Sequence, residues 1–255
     1  MHIKRRIAFG LSAAAALAFT AAGALAQDRM QLKIGTEGAY PPFNNLTASG
    51  ELEGFDVDIA RALCEEMNAE CEFVTQDWDG IIPALQAGKF DAIIASMSIT
   101  PERDEQVDFT KPYYTNSLVF VAPKESEFDP NNIEDKAIGV QAGTIAAEFV
   151  EENYSNAELR AYPSQLEAWA DLSNGRVDAV LADFGVQYEW VNSEDGACCE
   201  FKGETVSGDD QIGIAVREGE TELVEKFNAA IDAIRENGTY AEINAKYFPF
   251  DIYGE

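Results

Sequence analysis

Apolar positions along the chain gather into two kinds of run. The first is short and nearly continuous, as in Ala92-Ile93-Ile94-Ala95 and Val177-Asp178-Ala179-Val180-Leu181-Ala182, the pattern of strands covered on both faces. The second is spaced at three and four residues, as in Leu223, Val224, Phe227, Ile231 and Ile234, the stripe of an amphipathic helix. Thr221 reads as the N-cap of that helix and Gly238 as its stop, with Tyr240, Ile243 and Tyr247 continuing a turn or two beyond. Which body buries this C-terminal face is not legible from the pattern.

The continuous runs belong to a larger echo. Leu85-Gln86-Ala87-Gly88-Lys89-Phe90-Asp91-Ala92-Ile93-Ile94-Ala95-Ser96 recurs 87 residues later as Leu172-Ser173-Asn174-Gly175-Arg176-Val177-Asp178-Ala179-Val180-Leu181-Ala182-Asp183. Each reads as a helix end, a glycine cap, a basic residue and a buried strand, here Asp91–Ala95 in the first copy. Upstream, Leu32-Lys33-Ile34-Gly35-Thr36-Glu37-Gly38 resembles Ala137-Ile138-Gly139-Val140-Gln141-Ala142-Gly143, a strand entering a glycine-containing loop. The chain therefore holds two α/β units with parallel strands and helical crossovers. That makes two lobes rather than one barrel, which needs about eight such units.

The first 26 residues form an address instead of a fold. Lys4, Arg5 and Arg6 precede an Ala-rich apolar stretch, and Ala24-Leu25-Ala26 is an A-x-A cleavage site, so the mature chain begins at Gln27. The alternative, an uncleaved anchor, is disfavoured by the clean site and by the lack of a cysteine there to be lipidated. No later stretch approaches the roughly 18 apolar residues of a membrane span.

Charge narrows the partners. With 18 basic and 46 acidic residues the net charge is −28, which repels nucleic acid and anionic membrane. Cysteine usage fits an oxidising compartment: Cys64 and Cys71 flank a helix end at a spacing a disulfide can close. The adjacent Cys198 and Cys199 are open to three states: bonded to each other, reduced, or paired with another chain. The one histidine is His2, in the leader, so no metal site is expected.

Open α/β sheets bind ligands at the carboxyl ends of their strands. In the first lobe the strand end carries Ser96 and Ser98. Thr100-Pro101 follows as an N-cap and first helical residue, which puts Arg103 in the first turn. A guanidinium there suits a carboxylate; the alternative is a surface pair with Glu102, Asp104 or Glu105. The equivalent point of the second lobe is Asp183, an acid costly to bury without a cation, or else an ordinary exposed loop residue. Arg103 and Asp183 together suit a zwitterion. Glu37, Tyr40 and Trp78 add an acid and two aromatics for an aliphatic stem with a cationic tip, unless the rings are simply core. Gly143-Thr144 offers a hydroxyl and backbone N–H at the matching loop, or is a plain turn.

These stretches resemble the periplasmic amino-acid-binding proteins of ABC importers, in the lysine/arginine/ornithine- and histidine-binding branch. The resemblance runs through Gly35–Phe43, Gly54-Phe55-Asp56-Val57-Asp58-Ile59, Asp77–Leu85, Ser96–Thr100, Arg103 and Asn237-Gly238-Thr239-Tyr240. It implies the two-lobed type II periplasmic-binding-protein fold, an α/β architecture. Lobe one would be discontinuous, residues 27–116 and 210–255, and lobe two residues 117–209. The crossings would fall near Thr115–Val119 and Ser207–Gly213, and the C-terminal tail would return to lobe one.

The resemblance also implies roles. Arg103 would hold the α-carboxylate and Asp183 the α-ammonium; Ser96, Ser98 and Thr144 would add hydrogen bonds. Tyr40 and Trp78 would sandwich the side chain, with Glu37 where binders of basic amino acids carry an acid. The stretch Gly54-Phe55-Asp56-Val57-Asp58-Ile59 would start a structural helix without touching ligand, and Cys64 and Cys71 match a disulfide of some members. Ala95 and Ile145 depart from the Ser and Thr that close relatives often carry, and Gln141 sits where relatives vary with ligand, so glutamine, histidine and opines stay open. The implied protein is a periplasmic monomer that takes a free amino acid, without cofactor, to a membrane permease. The rivals are a cyclohexadienyl dehydratase-like enzyme and a sensing module for a separate receptor.

Overall fold

The computed structural model describes residues 29–208 and 210–254; the leader and its cleavage site lie outside the described residues. From the start of that range come β1 (Met30–Thr36), β2 (Ala39–Tyr40), β3 (Asn44–Leu46), β4 (Leu52–Glu53), α1 (Phe55–Glu66), β5 (Ala69–Thr75), α2 (Ile81–Gln86), β6 (Ala92–Ile93), α3 (Pro101–Asp104), β7 (Val107–Phe109) and β8 (Tyr114–Asn116). Then follow β9 (Leu118–Pro123), β10 (Ala137–Gln141), α4 (Ile145–Asn153), β11 (Glu158–Tyr162), α5 (Gln165–Ser173), β12 (Ala179–Asp183), α6 (Phe184–Val191) and β13 (Cys199–Lys202). The chain closes with β14 (Asp210–Ile212), β15 (Ala215–Arg217), α7 (Thr221–Glu236) and α8 (Thr239–Tyr247).

Two five-stranded sheets make two lobes, ordered β5-β1-β6-β15-β7 and β11-β10-β12-β9-β13. The repeated stretches occupy equivalent places. Ile34 and Gly35 pair in parallel with Ala92 and Ile93, as Ile138 and Gly139 do with Ala179 and Val180. Both β10 and β12 are buried along their whole length, as expected where helices cover both faces of parallel strands. Each sheet also carries an antiparallel strand in fourth place, β15 and β9, which the echo did not reveal. The strand expected over Asp91–Ala95 contracts to β6, because the chain bends away through Ser96, whose φ of +55° lies in the left-handed region.

Between the sheets, β8 and β14 pair antiparallel, Asn116 with Asp210 and Tyr114 with Ile212. The C-terminal helices α7 and α8 pack on α1, burying Phe227, Ile231, Ile234, Tyr240 and Ile243. Thr221 is the first residue of α7, not its cap; Glu220 holds the cap position with no side-chain hydrogen bond. Gly238 does end that helix, at φ +88°. The tail then touches both lobes. The Ile252 carbonyl accepts from the Thr115 N–H at 2.9 Å, and the Phe250 ring lies 5.6 Å from Phe184 and 5.3 Å from Tyr188 on α6. Cys64 on α1 is bonded to Cys71 on β5, and Cys198 to Cys199.

Candidate ligand-binding site between the lobes

The carboxyl ends of the parallel strands of both sheets face one cavity, with about 300 Å³ of space free of protein atoms, open solvent included. Glu37, Tyr40, Trp78, Ser96, Ser98, Arg103, Thr144 and Asp183 all line it, with Ala95, Gln141 and Ile145. The eight residues singled out in the sequence are therefore neighbours in space.

Arg103 is positioned by its helix. The Thr100 hydroxyl accepts from the Arg103 N–H at 3.3 Å, and Pro101 opens α3. The side chain is 8% exposed, which excludes the surface pair with Glu102, Asp104 or Glu105. Its guanidinium lies 5.3 Å from the Trp78 ring. One Nη donates to the Ser98 carbonyl at 2.9 Å, the other to the Gly143 carbonyl at 3.1 Å. Burial lowers its pKa; Glu148, Asp183 and Glu102 act the other way.

Two acids share the cavity with it. Asp183, 6% exposed at the end of β12, has its pKa raised to about 6 by burial; a hydrogen bond from Tyr40 and the charge of Arg103 lower it, while Asp210 raises it. Glu37 is pushed to about 7 by burial, against a hydrogen bond from Gln141, with Asp77 and Asp79 raising it further. Tyr40 is both core and lining, 8% exposed, and its pKa is raised by burial beside Asp183 and Glu37. Trp78 is half-buried and donates from Nε1 to the Gly143 carbonyl at 3.1 Å.

Thr144 differs from its expected use. It caps α4, and its hydroxyl proton goes to the Gln141 carbonyl at 2.7 Å. The hydroxyl is therefore not a donor for a ligand carboxylate. The start of α4, a nine-residue helix, still supplies the positive end of a backbone dipole.

Sequence reasoning missed the support behind the lining. Asp56 is fully buried and accepts from Asn44 Nδ2 at 3.0 Å, Ser96 Oγ at 3.0 Å and the Tyr113 hydroxyl at 2.6 Å. Asn44 in turn accepts from the Gly38 N–H at 2.8 Å. One signal was available: Asp56 shares its helix face with Ile59, Ala60 and Leu63, which are buried.

Two α/β lobes with paired connecting strands and a charged cavity between them define a type II periplasmic-binding-protein fold. The chain belongs to the bacterial extracellular solute-binding proteins, family 3, whose model matches residues 32–250. It is 45% identical over 232 residues to the L-arginine-binding protein of Pseudomonas aeruginosa, covering 88% of this chain and 90% of that one. It is 35% identical to the histidine-binding periplasmic protein of Salmonella typhimurium, over 96% and 98% of the two chains. Among solved structures, an ancestral arginine-binding protein bound to arginine superposes with a TM-score of 0.82 at 37% identity, covering 86% of this chain and 99% of that one. An ancestral arginine-binding protein bound to glutamine gives 0.82 at 39% identity, over 87% and 99%. Among the described residues no helix is long and apolar enough to cross a membrane.

Proposed function

We propose that this protein captures a free basic amino acid, arginine before lysine, ornithine or histidine, outside the cytoplasm and delivers it to the permease of an ABC importer. The observation that carries the reading is the charge set of the cavity, one base and two acids: Arg103, Asp183 and Glu37. An amino acid with a cationic side chain balances that set. Its α-carboxylate goes to Arg103 and the start of α4, its α-ammonium to Asp183, and its stem passes between Tyr40 and Trp78 so that the cationic tip meets Glu37. The relatives named for arginine and histidine support the choice.

The lobes are taken as residues 27–116 with 210–255, and 117–209, hinged at β8 and β14. Ligand binds the first lobe through Arg103, Ser96, Ser98 and the aromatics, and closure brings Asp183 and α4 onto it. Water is then excluded, and each charge-assisted bond contributes about 1.5–3 kcal/mol. The protein works in the periplasm as a monomer, after removal of residues 1–26, and the site binds without turning ligand over. A thermal-shift panel of the common amino acids with ornithine, citrulline and octopine tests this, because a ligand of the folded state raises Tm by mass action. Arginine giving the largest rise is the expected result; no rise with any basic amino acid refutes the reading.

A further inference from the structure

Asp56 has an environment unlike that of an ordinary helix-start acid. It is the second residue of α1, so the helix dipole favours its charge. Yet among the described residues no arginine or lysine forms an ion pair with it. Its partners are neutral donors from three distant stretches: Asn44, Ser96 and Tyr113. Ser96 donates to it through Oγ at 3.0 Å.

That contact fixes what the Ser96 side chain offers. A serine hydroxyl has one proton to donate, and it is committed to Asp56. What the side chain has left is acceptor, the hydroxyl lone pairs. Ser96 lines the cavity and holds φ +55°, a left-handed conformation that a non-glycine residue keeps only where the surroundings enforce it. Asp56 provides that enforcement. Tyr113 adjoins β8, and its N–H donates to the Ile212 carbonyl of β14, so the same acid ties the Ser96 bend to the strands that connect the lobes.

We propose that Asp56 is a positioning residue: by taking the hydroxyl proton of Ser96, it turns Ser96 Oγ into an acceptor that recognises the ligand's α-ammonium and rejects acceptor groups there. The proposal rests on amino-acid binding as read above. It deepens that reading by making the α-ammonium a group recognised from both lobes, by Asp183 on one and Ser96 on the other.

The test compares calorimetric affinities for L-arginine and for 5-guanidinopentanoate, which keeps the carboxylate and guanidinium and lacks the amino group. In Asp56→Asn an amide group replaces the acceptor pair, and the preference for L-arginine over the analogue narrows about ten-fold or more. Ser96→Ala, which leaves Asp56 its Asn44 and Tyr113 donors, narrows the preference similarly, and this variant decides the matter if Asp56→Asn does not fold. The double variant narrows it no further than either single one. Equal losses for both ligands mark Asp56 as merely structural and overturn the proposal, as does an unchanged preference in Ser96→Ala. If the wild type binds neither L-arginine nor another amino acid, the functional reading itself falls; wild-type binding with an unaltered preference in the variants overturns only the role of Asp56.

Discussion

Gln141 Nε2 donates to Glu37 Oε1 at 2.7 Å, joining the end of β10 in one lobe to the loop after β1 in the other. Gln141 also donates to the Pro163 carbonyl at 3.3 Å, so its amide is held from its own side while it reaches across. Glu37 is thereby an acid through which the two lobes meet, and it is the group assigned to the ligand's cationic tip. Glu37→Gln removes the negative charge and keeps the size. The expected loss in arginine affinity is about 10–100-fold, with a smaller loss for glutamine. Isothermal titration of both ligands checks it, and parallel losses contradict the assignment.

Trp78 serves the cavity in two separable ways, a face toward Arg103 at 5.3 Å and an Nε1–H on the Gly143 carbonyl. Trp78→Phe keeps a ring and loses the donor, so affinity falls by roughly 0.5–1.5 kcal/mol. Trp78→Ala also loses the ring face, which adds about 0.5–2 kcal/mol. Calorimetry on the pair separates the two contributions; Trp78→Ala equal to Trp78→Phe rules out a role for the ring.

The raised carboxyls give binding a definite pH dependence. Asp183 at about 6 and Glu37 at about 7 must be ionised to meet ammonium and guanidinium groups, and bound cations lower both pKa values. Protons are therefore released on binding, and affinity falls as pH drops from about 8 to about 5, by up to ~10-fold per unit for each group. Titrations in buffers of different ionisation enthalpy count the protons; a flat profile contradicts the assignment. In the protein alone the sign reverses. Each raised carboxyl contributes stability that is fully present below its ordinary pKa of 3.8 or 4.5 and lost as pH rises through about 6 or 7.

Gly185, in the first turn of α6, faces the lobe-one core: a Cβ there would come within 2.8 Å of the Phe43 ring and 3.3 Å of Phe248. Phe43 is 1% exposed and stacked on Tyr114 at 5.1 Å, so it has little room to yield. Gly185→Ala should hold the lobes apart and weaken ligand binding by about ten-fold, an overpacking cost of 1–3 kcal/mol. Small-angle scattering with and without arginine reads the opening, and unchanged affinity refutes the contact as a limit on closure.

The Cys64–Cys71 bond spans seven residues of sequence between α1 and β5, away from the cavity. Replacing both with serine should lower stability by about 2 kcal/mol and leave ligand affinity unchanged. Thermal melts with calorimetry check both halves.

Much of the site was readable because its residues sit at points that local rules define. Thr100-Pro101 announces a helix start, which locates Arg103, and the 87-residue echo puts Ser96 and Asp183 at matching strand ends. What stayed hidden depends on contacts between distant stretches. Asp56 reads as a helix-start acid until Asn44, Ser96 and Tyr113 converge on it. The Thr144 hydroxyl reads as a ligand donor until the Gln141 carbonyl claims its proton. The antiparallel strand β15 and its edge neighbour β7 have three residues each, too short for alternation to show. Thr221 misled because a threonine before an apolar stripe suits both the cap and the first turn.

Pairing Arg103 with Asp183 across the cavity is the centre of the account, and titrating L-arginine into the wild type and into Arg103→Ala tests it most directly. One ligand bound per wild-type chain, with affinity lost by about 100-fold or more in the variant while its melting curve stays cooperative, is the predicted result. Undiminished arginine affinity in Arg103→Ala would contradict it.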